Sequence, residues 1–290
     1  MNGGLTFVIP VRHQDNAPDW NLVTHRLKQT IQSISAQDAP NWRGIVVANE
    51  GASLPAMPPN WDVVRVTFPP NPIHERRGAD KNTFYDAFRL DKGRRVLSGM
   101  LSARDSAYFM IVDDDDFVSR RLARHVRDNN GQAGWHIMDG YIWEDGTKLL
   151  LRHDEFANLC GTSLIIRSDI YNLPERFEDA GEEYIKSMFG SHLILPEKLK
   201  EAGAPLPRLP FPGAVYRIGH VGAHSQSVGL IALIFSKDRT AGNLLRIASR
   251  LWRIRFFTRT LREEFFGGAT VPRPIQDHRG IGPQLGGEAL

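Results

Sequence analysis

At 290 residues, with 41% hydrophobic and 24% charged residues, the chain has the make-up of a globular protein that buries one large core with an appendage or two modest ones. Its formal charge of +3 is uneven: residues 237–264 hold eight basic and three acidic side chains, a net of +5, which leaves −2 for the remainder, so the pI of 9.1 belongs to one segment and argues against a nucleic-acid-binding body. The single cysteine, Cys160, excludes an intrachain disulfide framework and fits a reducing compartment, LTFVIPV is too short and lacks the basic leader of a secretory signal, and no apolar run reaches bilayer-spanning length.

In chain order, LTFVIP reads as a first strand. PDWNLVTHRLKQTIQSIS follows with Val23, Leu27, Ile31 and Ile34 at helical spacing and Asp19 as the N-cap. RGIVVA is a second strand and DVVRVTF a third, after the proline-rich SLPAMPPN. Residues 69–92 read as a polar, proline-containing loop of functional length, and KGRRVLSGMLSAR then reads as a helix. It delivers the chain to YFMIV, residues 108–112, an apolar run without alternation that suits a strand buried on both faces of a parallel sheet. Strands alternating with helices predict right-handed βαβ units and an α/β fold with a mostly parallel sheet flanked by helices.

The second half changes character. Asp145-Gly146 lies between residues that suit a hairpin, GTSLIIRS is another strand, and PEKLKEAG is a short helix closed by Gly203. AVYRIG is a late strand leading into GHVGAHS, and the Gly/Pro-rich residues 267–290 read as a flexible tail. The expected organisation is a body over residues 1–229, a basic amphipathic helical extension over 230–266, and that tail.

Four carboxylates, Asp113, Asp114, Asp115 and Asp116, stand where the buried run YFMIV leaves the sheet. Carboxylates ~6 Å apart repel by about 0.7 kcal/mol in water and by roughly 3 kcal/mol at the effective dielectric near a protein interior, so a half-buried cluster calls for a cation. Ligands of open α/β sheets bind beyond the carboxyl ends of the strands, which is this junction. In an extended chain Asp113 and Asp115 point the same way and can share one partner. Mg²⁺ or Mn²⁺ takes one or two such carboxylates and completes its shell with phosphate oxygens and water, the charge logic for a diphosphate leaving group. The plainer alternative is a solvated acidic turn in which Asp116 or Ser119 caps the helix suggested by SRRLARHV.

FVIPVR with its following helix, IVVANEG, IVDDDD, GTSLIIR and AGEEYIK, in that order over roughly residues 5–225, resemble a nucleotide-sugar-dependent glycosyltransferase of the GT-A fold, family 2-like. The resemblance implies a GT-A-like catalytic domain, a UDP- or GDP-linked donor, a carbohydrate or other hydroxyl acceptor, and Mn²⁺ or Mg²⁺ as cofactor. It implies that Pro10, Val11 and Arg12 line the nucleotide pocket, that Asp113 contacts the ribose or base side of the donor with Asp114 beside it, and that Asp115 holds the metal, with Asp113 as a second ligand. The acidic residue expected after the second strand is Glu50 or is replaced by Asn49.

For inversion, a general base is expected among Glu183, Glu182 and Asp179, with Glu178 as a neighbour in sequence. The alternative is that acidic residues in a first helical turn simply answer the helix dipole. His224 is implied as a third metal ligand, with His220 as its rival. Lys81, Lys92, Arg94 and Arg95 could neutralise a diphosphate or be solvated. Trp135, Tyr141 and Trp143 suit cross-strand packing, with stacking on an acceptor sugar as the alternative.

On a helical wheel Leu244, Leu245, Ile247, Ala248, Leu251, Trp252 and Ile254 oppose Arg246, Ser249, Arg250 and Arg253. Residues 240–262 are thus expected to pack on the protein's own body, to form a homodimer contact, or to touch an anionic membrane surface peripherally. The expected location is the cytoplasm, with the inner face of the membrane as the site of that contact. Two other readings compete with the transferase. A sugar-phosphate nucleotidyltransferase lacks its glycine-rich triphosphate cradle here, since the first strand runs into VRHQDNAP, and a non-catalytic calcium-binding module lacks the glycine-interrupted acidic loop.

Overall fold

The computed structural model describes residues 4–74, 80–219 and 252–268. Four parallel strands open the fold: β1 (Leu5–Pro10), β2 (Trp42–Asn49), β3 (Trp61–Val66) and β4 (Tyr108–Ile111). Their side chains divide between two cores by the two-residue period of a strand. Phe7, Ile9, Val46, Ala48, Tyr108 and Met110 face one way and meet Leu27, Ile31 and Ile34 of α1 (Trp20–Ser35). Val8, Ile45, Val47 and Phe109 face the other way and meet Val96, Leu97 and Met100 of α2 (Lys81–Leu101). A sheet covered on both faces has no polar side, which is why these strands read as unbroken apolar runs.

Sheet order is β3-β2-β1-β4-β9-β6, completed by β6 (Gly134–His136) and β9 (Leu164–Arg167), with β9 antiparallel to both β4 and β6. A second sheet runs β11-β8-β7-β10-β5. In it β7 (Gly140–Glu144) and β8 (Leu149–His153) form the expected hairpin, turning at Asp145-Gly146 with Gly146 at φ 83°. β5 (Phe117–Val118) follows the aspartates directly and pairs antiparallel with β10 (Ala214–Ile218), which runs parallel to β7. The fold is mixed α/β, two sheets flanked by helices, in line with the GT-A-like class expected. The run of consecutive parallel pairs is confined to β1–β4; beyond it a short link such as the β7–β8 turn permits only antiparallel pairing, while β10, reached through a long connection, lies parallel to β7.

Three expectations change. Residues 69–92 do not form one loop: α2 begins at Lys81, capped by the Asp80 carboxylate, which accepts from the Asn82 and Thr83 amides at 2.9 and 3.1 Å. In its first three turns Phe84 alone is buried, so no apolar stripe betrays the helix in the sequence. Asp116 does not cap α3 (Leu122–Asp128); it is fully buried, while the Ser119 hydroxyl accepts from the Arg121 amide at 3.1 Å. At the other end, residues expected in the helical extension join the body. β11 (Ile254–Phe256) pairs with β8, and α6 (Arg259–Phe265) sends Phe265 and Phe266 into a cluster with Phe117 and Trp143. The remainder of the amphipathic segment expected over 240–262, and the tail beyond 268, lie outside the described residues. Among the described residues no helix is long and apolar enough to cross a membrane.

Candidate functional site

The carboxyl ends of β1 and β4 open on one cleft, and α2 closes its side. Pro10 and Arg12 come from the end of β1, Asp113, Asp114 and Asp115 from the end of β4, Lys92 and Arg95 from α2, and Tyr216 and Arg217 from β10. Asn16 and Asn71 fasten the rim reciprocally: the Asn16 amide donates to the Asn71 carbonyl at 3.0 Å and the Asn71 backbone N–H donates to Asn16 Oδ1 at 2.8 Å. The lining has two signs: Asp91, Asp113, Asp114 and Asp115 share it with Arg12, Lys92, Arg95 and Arg217.

The four aspartates of the tetrad divide between an ion pair, the cleft wall and the core. Asp113 Oδ1 accepts from Lys92 Nζ at 2.5 Å, in a pair that keeps a third of the aspartate and about an eighth of the lysine side chain exposed. Burial lowers the Lys92 pKa, but the charge and hydrogen bond of Asp113, with Cys160 and Asp116 behind, carry it above its ordinary value. Asp114 and Asp115 both line the cleft, and the Asp114 carbonyl accepts from Thr30 Oγ1 of α1 at 3.1 Å. Asp116 turns inward: its Oδ2 accepts from Thr162 Oγ1 at 2.6 Å and Cys160 Sγ at 3.1 Å, and its Oδ1 from the Arg217 amide at 3.3 Å. Burial, then the charges of Asp115 and Asp113, push its carboxyl well above the usual range. The Thr162 hydroxyl also accepts from the Asp113 amide at 3.0 Å, so one side chain fixes both ends of the tetrad.

Arg217 is the cation that sequence reasoning missed. Its side chain is 2% exposed, with its guanidinium carbon 4.8 Å from the Trp143 ring centroid and 5.3 Å from that of Phe117. Nη2 donates to Gln29 Oε1 at 2.6 Å and Asp145 Oδ1 at 3.3 Å, while Nε and Nη1 are buried without a hydrogen-bond partner among the described residues. Burial lowers its pKa against the opposing charges of Asp145 and Asp115. An arginine inside the otherwise apolar AVYRIG was the available signal, since a buried charge needs a reason.

Other predicted residues stand apart. Val11 is fully buried in the core beneath the cleft. Asn49 is buried with its amide engaged, donating to the Phe68 carbonyl and accepting from Arg95 Nη1, both at 2.6 Å. Glu50 is exposed at the end of β2, and Arg94 donates to the Pro69 carbonyl at 3.0 Å and Asp91 at 2.6 Å. Glu182 and Glu183 open α4 (Glu182–Met188) on its solvent side, Glu183 being 89% exposed and 2.6 Å from Lys186 Nζ, which also donates to Asp86 of α2 at 2.9 Å. Asp179 is exposed and paired with Arg176. None of these lines the cleft. Trp135, Tyr141 and Trp143 are buried, as cross-strand packing requires. His220 and His224 lie outside the described residues.

The donor set can be tested against a divalent cation. Asp114 and Asp115 offer the hard oxygens that Mg²⁺ or Mn²⁺ prefers, at the mouth of the cleft, and fit it. Asp113 lines the same cleft with Oδ1 engaged by Lys92, while Asp116, buried and enclosed by its own donors, does not fit. Among the described residues no three His, Cys, Asp or Glu side chains form a complete cage, so such an ion would rely on water and phosphate for its remaining ligands.

No family model matches this chain, and no curated protein matches it. Solved structures with partial likeness include residues 1–349 of TarS from S. aureus, at 10% identity and a TM-score of 0.40, covering 74% of this chain and 60% of that one. A longer S. aureus TarS structure aligns at 12% identity and 0.38, over 86% of this chain and 43% of its own. HddC from Yersinia pseudotuberculosis aligns at 9% identity and 0.30, over 74% and 89%. The chain thus spans less than two thirds of either TarS chain.

Proposed function

We propose that this chain is a metal-dependent glycosyltransferase, moving a sugar from a UDP- or GDP-linked donor to an acceptor hydroxyl. The observation that carries the proposal is the two-signed cleft at the ends of β1 and β4, whose lining brings Asp114 and Asp115 together with Arg12, Lys92, Arg95 and Arg217. Acidic walls suit a hard cation and basic walls suit a diphosphate, and a site for a metal-bound nucleoside diphosphate needs both. Mn²⁺ or Mg²⁺ held by Asp115, with Asp114 beside it, would supply charge neutralisation as the diphosphate leaves. Lys92 and Arg217 add fixed positive charge of their own. Their low exposure strengthens each interaction relative to the same pair in water.

Inversion of configuration is the proposed outcome, with Glu183 taking the acceptor proton. Glu183 stands on the seam between α4 and α2, through Lys186 and Asp86, rather than in the cleft itself. Its assignment therefore needs its own test: Glu183→Gln is expected to lower kcat at least 100-fold while leaving nucleoside-diphosphate affinity unchanged, and an unaltered kcat removes it from the mechanism.

The function is tested by incubating the full chain with UDP- and GDP-hexoses and Mn²⁺ and following slow release of free sugar and nucleoside diphosphate. The expected result is release that chelation stops and that Asp115→Asn reduces by at least 100-fold. Pyrophosphate formed instead from a nucleoside triphosphate and a sugar phosphate would assign the cleft to nucleotidyl transfer.

A further inference from the structure

Lys92 has two sides. One faces the cleft just described; the other walls a second, smaller and partly open cavity, lined also by Ile111, Gly161, Tyr171, Phe189, His192 and Leu195. The cavity offers about 20 Å³ of room for the centre of a water-sized group, enough for one such group. Its lining is mostly apolar, with Lys92, Ser191 and His192 among its polar side chains. His192 Nε2 is buried and has no hydrogen-bond partner among the described residues, although nearly all buried polar atoms of native proteins have one. His192 lies just ahead of α5 (Ile194–Glu201), so its ring is carried by the chain between α4 and α5.

Gly161 marks the junction between the two spaces. A Cβ there would stand 2.8 Å from Asp113 Oδ2 and 3.0 Å from Lys92 Nζ, so any larger residue would press on the ion pair that separates them. The glycine allows the chain to pass against that pair. The second cavity therefore begins one side chain away from the place where a diphosphate would meet Lys92. What is covalently attached to a diphosphate next to Lys92 is the sugar.

We infer that the cavity behind Lys92 receives a hydroxyl of the sugar being transferred, with His192 Nε2 as its hydrogen-bond partner, making His192 a determinant of donor-sugar affinity. The inference rests on the glycosyltransferase reading. A hydroxyl suits the site because it both donates and accepts, and so meets either tautomer of the ring. Burial and the nearby Lys92 charge, opposed by Asp113, lower the His192 pKa to about 4, so the ring is neutral at physiological pH. A site built around one hydrogen-bonding group discriminates strongly against a ligand that cannot satisfy it.

The experiment is calorimetric titration, with Mn²⁺ present, of UDP, GDP, UDP-glucose, UDP-N-acetylglucosamine and GDP-mannose into the intact chain, His192→Phe and His192→Gln. For the hexose nucleotide that the wild type binds best, His192→Phe is expected to raise Kd about tenfold, ~1.4 kcal/mol. The Kd of the corresponding nucleoside diphosphate should stay within twofold. Gln places a polar group near the Nε2 position and is expected to restore hexose-nucleotide affinity to within threefold of wild type. A merely structural histidine would weaken both ligands alike or neither, and either result overturns the inference. Wild-type chain that binds none of the five ligands removes the glycosyltransferase reading, and the inference with it.

Discussion

Lys92 and Asp113 form the tightest charged contact in the cleft, and their exposure sets what it is worth. Removing one partner of a fully buried pair costs about 3–5 kcal/mol, but Asp113 keeps a third of its side chain in solvent, which screens the charge left behind. Lys92→Met is accordingly expected to lower stability by roughly 1–2 kcal/mol in urea unfolding, and adding Asp113→Asn should recover most of it. A double-mutant coupling near zero would show the pair to be incidental. His192 carries a pH dependence of definite sign. Its folded pKa of about 4 lies below the ordinary 6.5 of histidine, so between those values the unfolded chain binds a proton that the folded chain refuses. Stability therefore falls as pH drops from about 6.5 to 4, by at most ~3 kcal/mol from this group. His25, His125 and His136 are shifted in the same direction, while buried Asp116, shifted up, works against them. Comparison with His192→Phe isolates the one contribution, and the variant's stability should fall less steeply over that range. The acidic tetrad was legible in the sequence as a place. Its division of labour was not, because Thr162, Cys160 and Lys92, which assign Asp116 to the core and Asp113 to an ion pair, lie 21 to 46 residues away along the chain.

At the scale of elements, helices that bury an apolar stripe declared themselves. Val23, Leu27, Ile31 and Ile34 of α1 are all buried, and Asp19 caps it by accepting from the Asn21 amide at 2.9 Å. The α2 helix was seen only in its second half, where Val96, Leu97 and Met100 pack against the sheet. That helix also shows tertiary packing overriding local preference. Alanine is better than glycine in a helix interior by about 1 kcal/mol. Yet a Cβ on Gly93 would lie 2.7 Å from the Ile185 carbonyl oxygen of α4, and backbone cannot step aside as a flexible side chain can. Gly93→Ala is therefore expected to destabilise by about 1–3 kcal/mol despite its higher propensity, as read from the thermal midpoint. A neutral or stabilising result would mean that α2 and α4 are packed less closely than described. Because α2 carries Lys92 and Arg95 into the cleft, the same substitution should also weaken nucleoside-diphosphate binding.

For the molecule as a whole, the order of strands and helices in the first half was readable because both sheet faces are covered, which removes polar residues from whole strands. The second sheet was not readable as a sheet. β5 has only two residues, β10 lies nearly a hundred residues downstream, and no local pattern announces their pairing. Yet that pairing completes the site. It begins one residue beyond Asp116, and it returns Arg217 to the aspartates from which the chain departed. On the proposed function this convergence binds a nucleoside diphosphate through a divalent ion at Asp115, and a ligand held by the folded state alone must raise its stability, by about 2.7 kcal/mol at a hundredfold excess over Kd. The direct measurement is the thermal midpoint of the intact chain and of Asp115→Ala with UDP or GDP, with and without Mn²⁺. The expected result is a rise of several degrees for the wild type that requires both nucleotide and metal and is absent in Asp115→Ala; equal response of the two proteins, or no response in either, would remove the metal-bound diphosphate from this cleft.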